Sequence, residues 1–183
     1  MSNLLSFNAH KCQTAIGIML HAGKTLLVKH KKLGKWMAPG GHLDEGELPH
    51  QAAEREFLEE TGITVRAIDP FMETWDSVSQ YFPSPILTNL HWVVRENYDA
   101  RVASANPAEL HTTELWPRGC EQHVGFIFIV EAATENVVIN PGPGESPDVA
   151  WFTPEDVQAL GADEIYADSR EELLHVFGLA QLV

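Results

Sequence analysis

Basic residues are scarce in this chain, and lysine stops early. The 183 residues carry 12 Lys and Arg against 26 Asp and Glu, a formal net charge of −14, and no lysine follows Lys35. A nucleic-acid backbone is held by clustered cations, so binding to a nucleic acid duplex is not expected. No apolar run approaches the roughly 20 residues of a membrane span, which leaves no membrane partner to expect. The opening MSNLLSFNAHKCQ lacks a charged segment followed by a long apolar one, so a signal peptide is not expected either. Cysteine is limited to Cys12 and Cys120, without metal-ligand spacing; they read as free thiols of a cytoplasmic protein. There is no internal repeat and no low-complexity segment. With 44% hydrophobic residues, the length suits one domain with a full core.

The densest pattern is GGHLDEGELPHQAAEREFLEETGI, residues 40–63. Arg55 to Thr61 has no Gly or Pro and is rich in helix formers, which predicts helix. Pro49 suits the first helical turn and Gly62 a left-handed C-terminal cap. Glu56, Glu59 and Glu60 then stand at i, i+3 and i+4, within an arc of about 100° on one helix face. Three carboxylates so placed repel one another and call for a cation. Hard oxygen donors in that number suit Mg2+ or Mn2+, and Mg2+ usually brings a phosphate-bearing substrate. Arg55 lies beside the acidic face and is positioned to pair with Glu47. The turn Pro39-Gly40-Gly41 allows backbone to approach a ligand or metal closely.

Gly41, Glu47, Arg55-Glu56-Phe57, Glu59-Glu60 and Gly62-Ile63 together resemble the Nudix box of the Nudix hydrolases, G-x5-E-x7-R-E-U-x-E-E-x-G-U, with U a bulky apolar residue. Every position is filled. Seven fixed residues at roughly 6% each match by chance about once in 10^8 to 10^9 start points. The resemblance implies an α/β fold, an α/β/α sandwich around a mixed sheet. It also implies hydrolysis, by water attack on phosphorus, of a diphosphate linkage in a nucleoside diphosphate joined to a group X. Glu56, Glu59 and Glu60 would hold Mg2+ (or Mn2+), with the backbone carbonyl of Gly40; Arg55 and Glu47 would orient the carboxylates. For the general base, family members use either a box Glu or an acidic residue far beyond the box. The candidates are Glu56 or Glu59, then Glu145 and Glu121. The partner implied is a small nucleotide or other diphosphate; many members of the family dimerise, so a homodimer is compatible with the resemblance.

The rest of the chain reads around that stretch. Residues 14–20 and 24–30 predict a β-hairpin turning at His21-Ala22-Gly23; 64–68, 86–94, 123–132 and 148–152 predict further strands. Thr153-Pro154-Glu155-Asp156 predicts a capped helix start, and Ser169-Arg170-Glu171-Glu172 a capping box opening a last helix with Leu173, Leu174 and Phe177 inward. The whole of 1–183 reads as one domain of this type, with residues 95–121 as an insertion. Lys35, in the chain's one dense basic cluster, is a candidate phosphate contact. Tyr81 falls where dinucleoside polyphosphate hydrolases tend to carry a Tyr; the Pro expected in ADP-ribose pyrophosphatases would fall at Ser79. His91, His123 and Trp151 read as structural. Two other classes remain in view: a nucleotide-sensing module of the same fold without catalysis, and an acidic interaction protein. The second leaves the Gly40-Gly41 turn and the full spacing unexplained.

Overall fold

A computed structural model describes residues 9–76, 78–104, 119–135 and 137–179. Strands β1 (Lys11–His21) and β2 (Lys24–Lys29) form the expected hairpin. Ala22 and Gly23 both have positive φ, 49° and 75°, the sign pattern of a type I′ turn, whose twist matches that of the flanking strands. Next come β3 (Trp36–Met37), β4 (Gly40–His42) and helix α1 (Pro49–Thr61). They are followed by β5 (Val65–Ile68), β6 (Leu87–Trp92), α2 (Arg95–Ala103) and β7 (Gln122–Ala132). The chain closes with β8 (Val149–Phe152), α3 (Pro154–Ala159) and α4 (Ala167–Leu179).

The eight strands among the described residues form one mixed sheet. Its axis is the parallel pair β1–β7, in register from Lys11 opposite Gln122 to Met19 opposite Val130; every other pairing is antiparallel. Strand alternation sends β7 side chains to two cores. Phe128 and Val130 join Ala15, Met19, Ala52, Ala53 and Phe57 on the α1 side. Ile127 joins Ile18, Leu27, Val157, Leu173, Val176 and Phe177 on the α3 and α4 side. The result is the expected α/β/α sandwich.

Several expectations need correcting. The last helix starts at Ala167, two residues before Ser169: the Arg170 N–H already donates to the Tyr166 carbonyl at 3.0 Å, so Ser169 lies in the first turn rather than at the cap. The expected insertion, 95–121, opens with α2; its residues 105–118 lie outside the described part. Cys12 and Cys120 are not free thiols. They form a disulfide with Cα atoms 5.7 Å apart, although 108 residues separate them in sequence. The β1–β7 pairing brings the start of β1 beside the entry to β7, a proximity that spacing alone cannot reveal. The free-thiol argument for a cytoplasmic location therefore falls away. Among the described residues no helix is long and apolar enough to cross a membrane.

Glu121 does not stand with the box carboxylates. It is buried and takes both Nη2 contacts of buried Arg101 at 2.7 Å, tying α2 to the entry of β7. Hydrogen bonds to a charged group are each worth about 1.5–3 kcal/mol. Glu121→Gln should therefore lower the unfolding free energy by roughly that amount, read from denaturant midpoints. A variant of unchanged stability but lost turnover would restore Glu121 as a catalytic base.

Candidate active site

Helix α1 is fixed at both ends by its own sequence. Pro49 occupies the first turn, and Gly62 closes the helix in the left-handed region (φ 76°) with its N–H on the Leu58 carbonyl at 2.7 Å. The loop before β8 then docks on the open carbonyls of the last turn. Asn140 N–H donates to Thr61 and Gly142 N–H to Glu59, both at 2.8 Å. A side chain at Gly62 would collide with the Asn140 carbonyl. This docking brings Glu145 into the electrostatic field of Glu56 and Glu60, which the distance in sequence could not decide.

Arg55 is the clamp of the site. Its Nε and Nη2 bind the two oxygens of Glu47 at 2.9 and 3.0 Å, in bidentate fashion. Nη2 also donates to the His42 carbonyl at 3.0 Å, while Nη1 reaches Glu56 at 2.8 Å and Glu59 at 3.2 Å. Glu47 further accepts the Asp44 N–H at 3.0 Å. One guanidinium thus ties the box loop, β4 and two carboxylates of α1 together. The Arg55 hydrogen bond holds the Glu47 carboxyl below its usual range.

Glu56 and Glu60 are held against their preference. Burial raises the Glu56 pKa, opposed by Arg55 and reinforced by Glu59 and Glu145. Burial pushes Glu60 up to about 8; the Gly40 N–H, donating to its Oε2 at 3.1 Å, opposes this, and Glu56, Glu145 and Glu59 add to it. Gly41 lies against the Glu56 carboxylate so closely that a methyl group there would overlap it. Glycine at that position is a matter of space for a carboxylate group and whatever it binds. By contrast Glu54, also on α1, spends its carboxylate on the N–H of Ala67 within β5, at 2.9 Å.

Two candidates lie elsewhere. The Lys35 ammonium donates to the Ala162 carbonyl at 2.8 Å and sits over the Tyr166 ring, in the turn before α4. Tyr81 packs edge-on against Trp75 (centroids 5.0 Å apart), and neighbouring Phe82 stacks on His50 in the first turn of α1. At 1.5 Å per residue, His50 stands about 13 Å along the axis from Glu59. Phe71 and Trp75 are exposed on that loop. His91 and His123 face each other across β6 and β7, with ring centroids 5.3 Å apart. The burial of His123, with His91 and His42 beside it, lowers its pKa to about 3, so its ring is neutral. Trp151 packs against the α1-side core. His42 was the residue that sequence reasoning passed over. It occupies a free position of the box pattern, yet its carbonyl anchors Arg55 and its ring faces Cys120 and His123.

The NUDIX domain model matches residues 11–173, and the chain belongs to that family. The 8-oxo-dGTP diphosphatase of Escherichia coli (strain K12) is 32% identical over 89 residues, covering 46% of this chain and 66% of that protein. The RNA pyrophosphohydrolase of Erythrobacter litoralis (strain HTCC2594) is 27% identical over 136 residues, 73% of this chain and 68% of that one. A NUDIX-family hydrolase from Clostridium perfringens shares the fold, with a TM-score of 0.66 over 92% of this chain and 97% of that one, at 22% identity. Among the first curated relatives, the chain spans between about a third and two thirds of their length.

The carboxylate shifts generate a test. A carboxyl whose folded pKa lies above its unfolded value gives stability that is complete below the unfolded pKa and lost as pH rises through the folded one. Without divalent ions, the melting temperature should therefore fall between about pH 5 and pH 8.5, and fall less in Glu60→Gln. A difference between wild type and variant that stays constant across that window would contradict the burial of a protonated Glu60.

Proposed function

We propose that this chain is a metal-dependent hydrolase that cleaves a diphosphate linkage in a nucleoside diphosphate bearing a further group X. The observation that carries the reading is the gathering of Glu56, Glu59 and Glu60 at the Gly40-Gly41 turn, with Glu145 in their field and Arg55 bound to two of them. A divalent cation fits this donor set. The oxygens are hard, Gly41 leaves room, and a carboxyl at about 8 is one that a nearby cation would ionise. Mg2+ or Mn2+ suits such donors.

Glu56, Glu59 and Glu60 would hold the metal, with the Gly40 carbonyl at the rim. When bound, the ion neutralises charge on the phosphate oxygens. Arg55 and Glu47 keep the carboxylates in one orientation, so that little reorganisation is needed as the substrate docks. A proton must leave the attacking water. Glu56 and Glu59 are the first candidates to accept it, and Glu145, carried in by the loop docked on α1, is the next. In-line attack on phosphorus needs positioning and charge neutralisation more than covalent chemistry, and this arrangement supports both. Similarity to an 8-oxo-dGTP diphosphatase and to an RNA pyrophosphohydrolase supports a nucleotide phosphate or pyrophosphate as the substrate class.

The deciding experiment is turnover, with Mg2+ and with Mn2+, on nucleoside triphosphates including 8-oxo-dGTP, nucleotide sugars, ADP-ribose, coenzyme A and dinucleoside polyphosphates. Glu59→Gln and Glu60→Gln should abolish cleavage of the preferred class, and Arg55→Lys should cost about 10–100-fold because a point charge cannot replace the bidentate fork. Glu145→Gln should cost about 10^2- to 10^4-fold in kcat if it takes the proton and little if a box Glu does. Tight nucleotide binding with no cleavage of any compound would instead identify a sensing module.

A further inference from the structure

We propose that Cys12, Cys120 and His42 form a second metal site, of the zinc class, which opens when the disulfide is reduced and closes when it is oxidised. Three segments converge there. Cys12 is on β1, Cys120 lies two residues before β7, and His42 ends β4 opposite Thr14, on the same face of β1 as Cys12. The three ligand atoms lie within 4.8 Å of one another, and His42 Nε2 is 3.5 Å from Cys120 Sγ. A tetrahedral zinc with sulfur at about 2.3 Å and nitrogen at about 2.1 Å sets those two donors roughly 3.6 Å apart. The imidazole is thus already at ligand spacing from one sulfur. The Cys12 sulfur must move to roughly 3.8 Å from that of Cys120 and roughly 3.6 Å from the imidazole nitrogen, which rotation of its side chain can supply without moving the strands.

The surroundings suit a bound ion. Cys120 is buried, while Cys12 and His42 border an open cleft of about 320 Å3 lined also by Leu43, Asp44 and Glu47, which gives an entry path. The His42 ring is backed edge-on by His123, with centroids 4.8 Å apart, and its backbone is pinned by Thr14 pairing and by Arg55. Thiolate and imidazole ligands select zinc over magnesium, so this site does not duplicate the carboxylate group. Three protein ligands leave a fourth position for water. Because the His42 carbonyl holds Arg55, the ion would sit one residue away from the clamp of the carboxylate group.

The chemistry balances with a phosphine as reductant. The S–S bond breaks, phosphorus becomes a phosphine oxide with oxygen from water, and each sulfur takes up a proton. The metal then displaces both protons and binds two thiolates and a neutral imidazole.

Cobalt(II) serves as the probe, because thiolate-to-cobalt charge transfer absorbs in the near ultraviolet and carboxylate ligation gives no such band. Phosphine-reduced protein, cleared of reductant and with both thiols counted, should develop the band with one equivalent of Co2+ and lose it to one equivalent of Zn2+. The disulfide form should show none. Reoxidation of the loaded wild type with a diazenedicarboxamide, which takes the two electrons and two protons to become a hydrazine as the thiolates join and the metal leaves, should abolish it. Cys120→Ser should lack the band, His42→Ala should bind at least about tenfold more weakly, and Glu59→Gln should leave the band unchanged, which separates this site from the proposed catalytic one. Absence of the band in the reduced wild type would overturn the proposal. So would its survival after reoxidation, a test that does not depend on any variant folding.

Discussion

The structure depends on how it accommodates negative charge at the edge of a core. Glu56 and Glu60 are partly buried, and burial drives both pKa values up. Water would ordinarily dissipate such repulsion; here one guanidinium and one backbone N–H do much of that work. Arg55 is suited to this because its fork reaches Glu47, Glu56, Glu59 and the His42 carbonyl at once, where an ammonium would offer a point charge. The result is a carboxylate group still short of positive charge, and that deficit is the physical basis of the proposed divalent ion.

The same economy of position appears in the central strands. The parallel pairing of β1 with β7 builds the two cores through alternation, and it also brings the start of β1 to the entry of β7. Cys12 and Cys120 meet there, beside a histidine delivered by β4. A fold that needs a long β1 for its core thereby gains a cysteine pair one residue from the Arg55 anchor.

Acidic residues that look alike in sequence meet different fates. Glu121 pairs with a buried arginine, Glu54 accepts a backbone N–H of β5, and Glu145 enters the field of the box carboxylates. What separates them is the path of the chain around them. Glu145 arrives because Asn140 and Gly142 satisfy the last carbonyls of α1, whereas Glu121 is drawn inward by Arg101 from a helix that composition did not predict. Arg95–Ala103 has little apolar periodicity, so the local pattern that marks a helix is weak there.

Local residue order specifies the box helix, its two ends, the carboxylates on one face, the hairpin, and the alternation of the buried strands. Each follows from short-range chemistry: the missing N–H of Pro49, the left-handed freedom of Gly62, the 3.6-residue period that aligns Glu56 with Glu59 and Glu60, and the two-residue period of β7. Tertiary structure alone decided the partners at long range. It joined Cys12 to Cys120, sent Lys35 to the turn before α4, set Glu121 on Arg101 and brought Glu145 to the helix end. No local period encodes those meetings, because they depend on strand order and loop docking, which emerge only when the two cores close around the sheet.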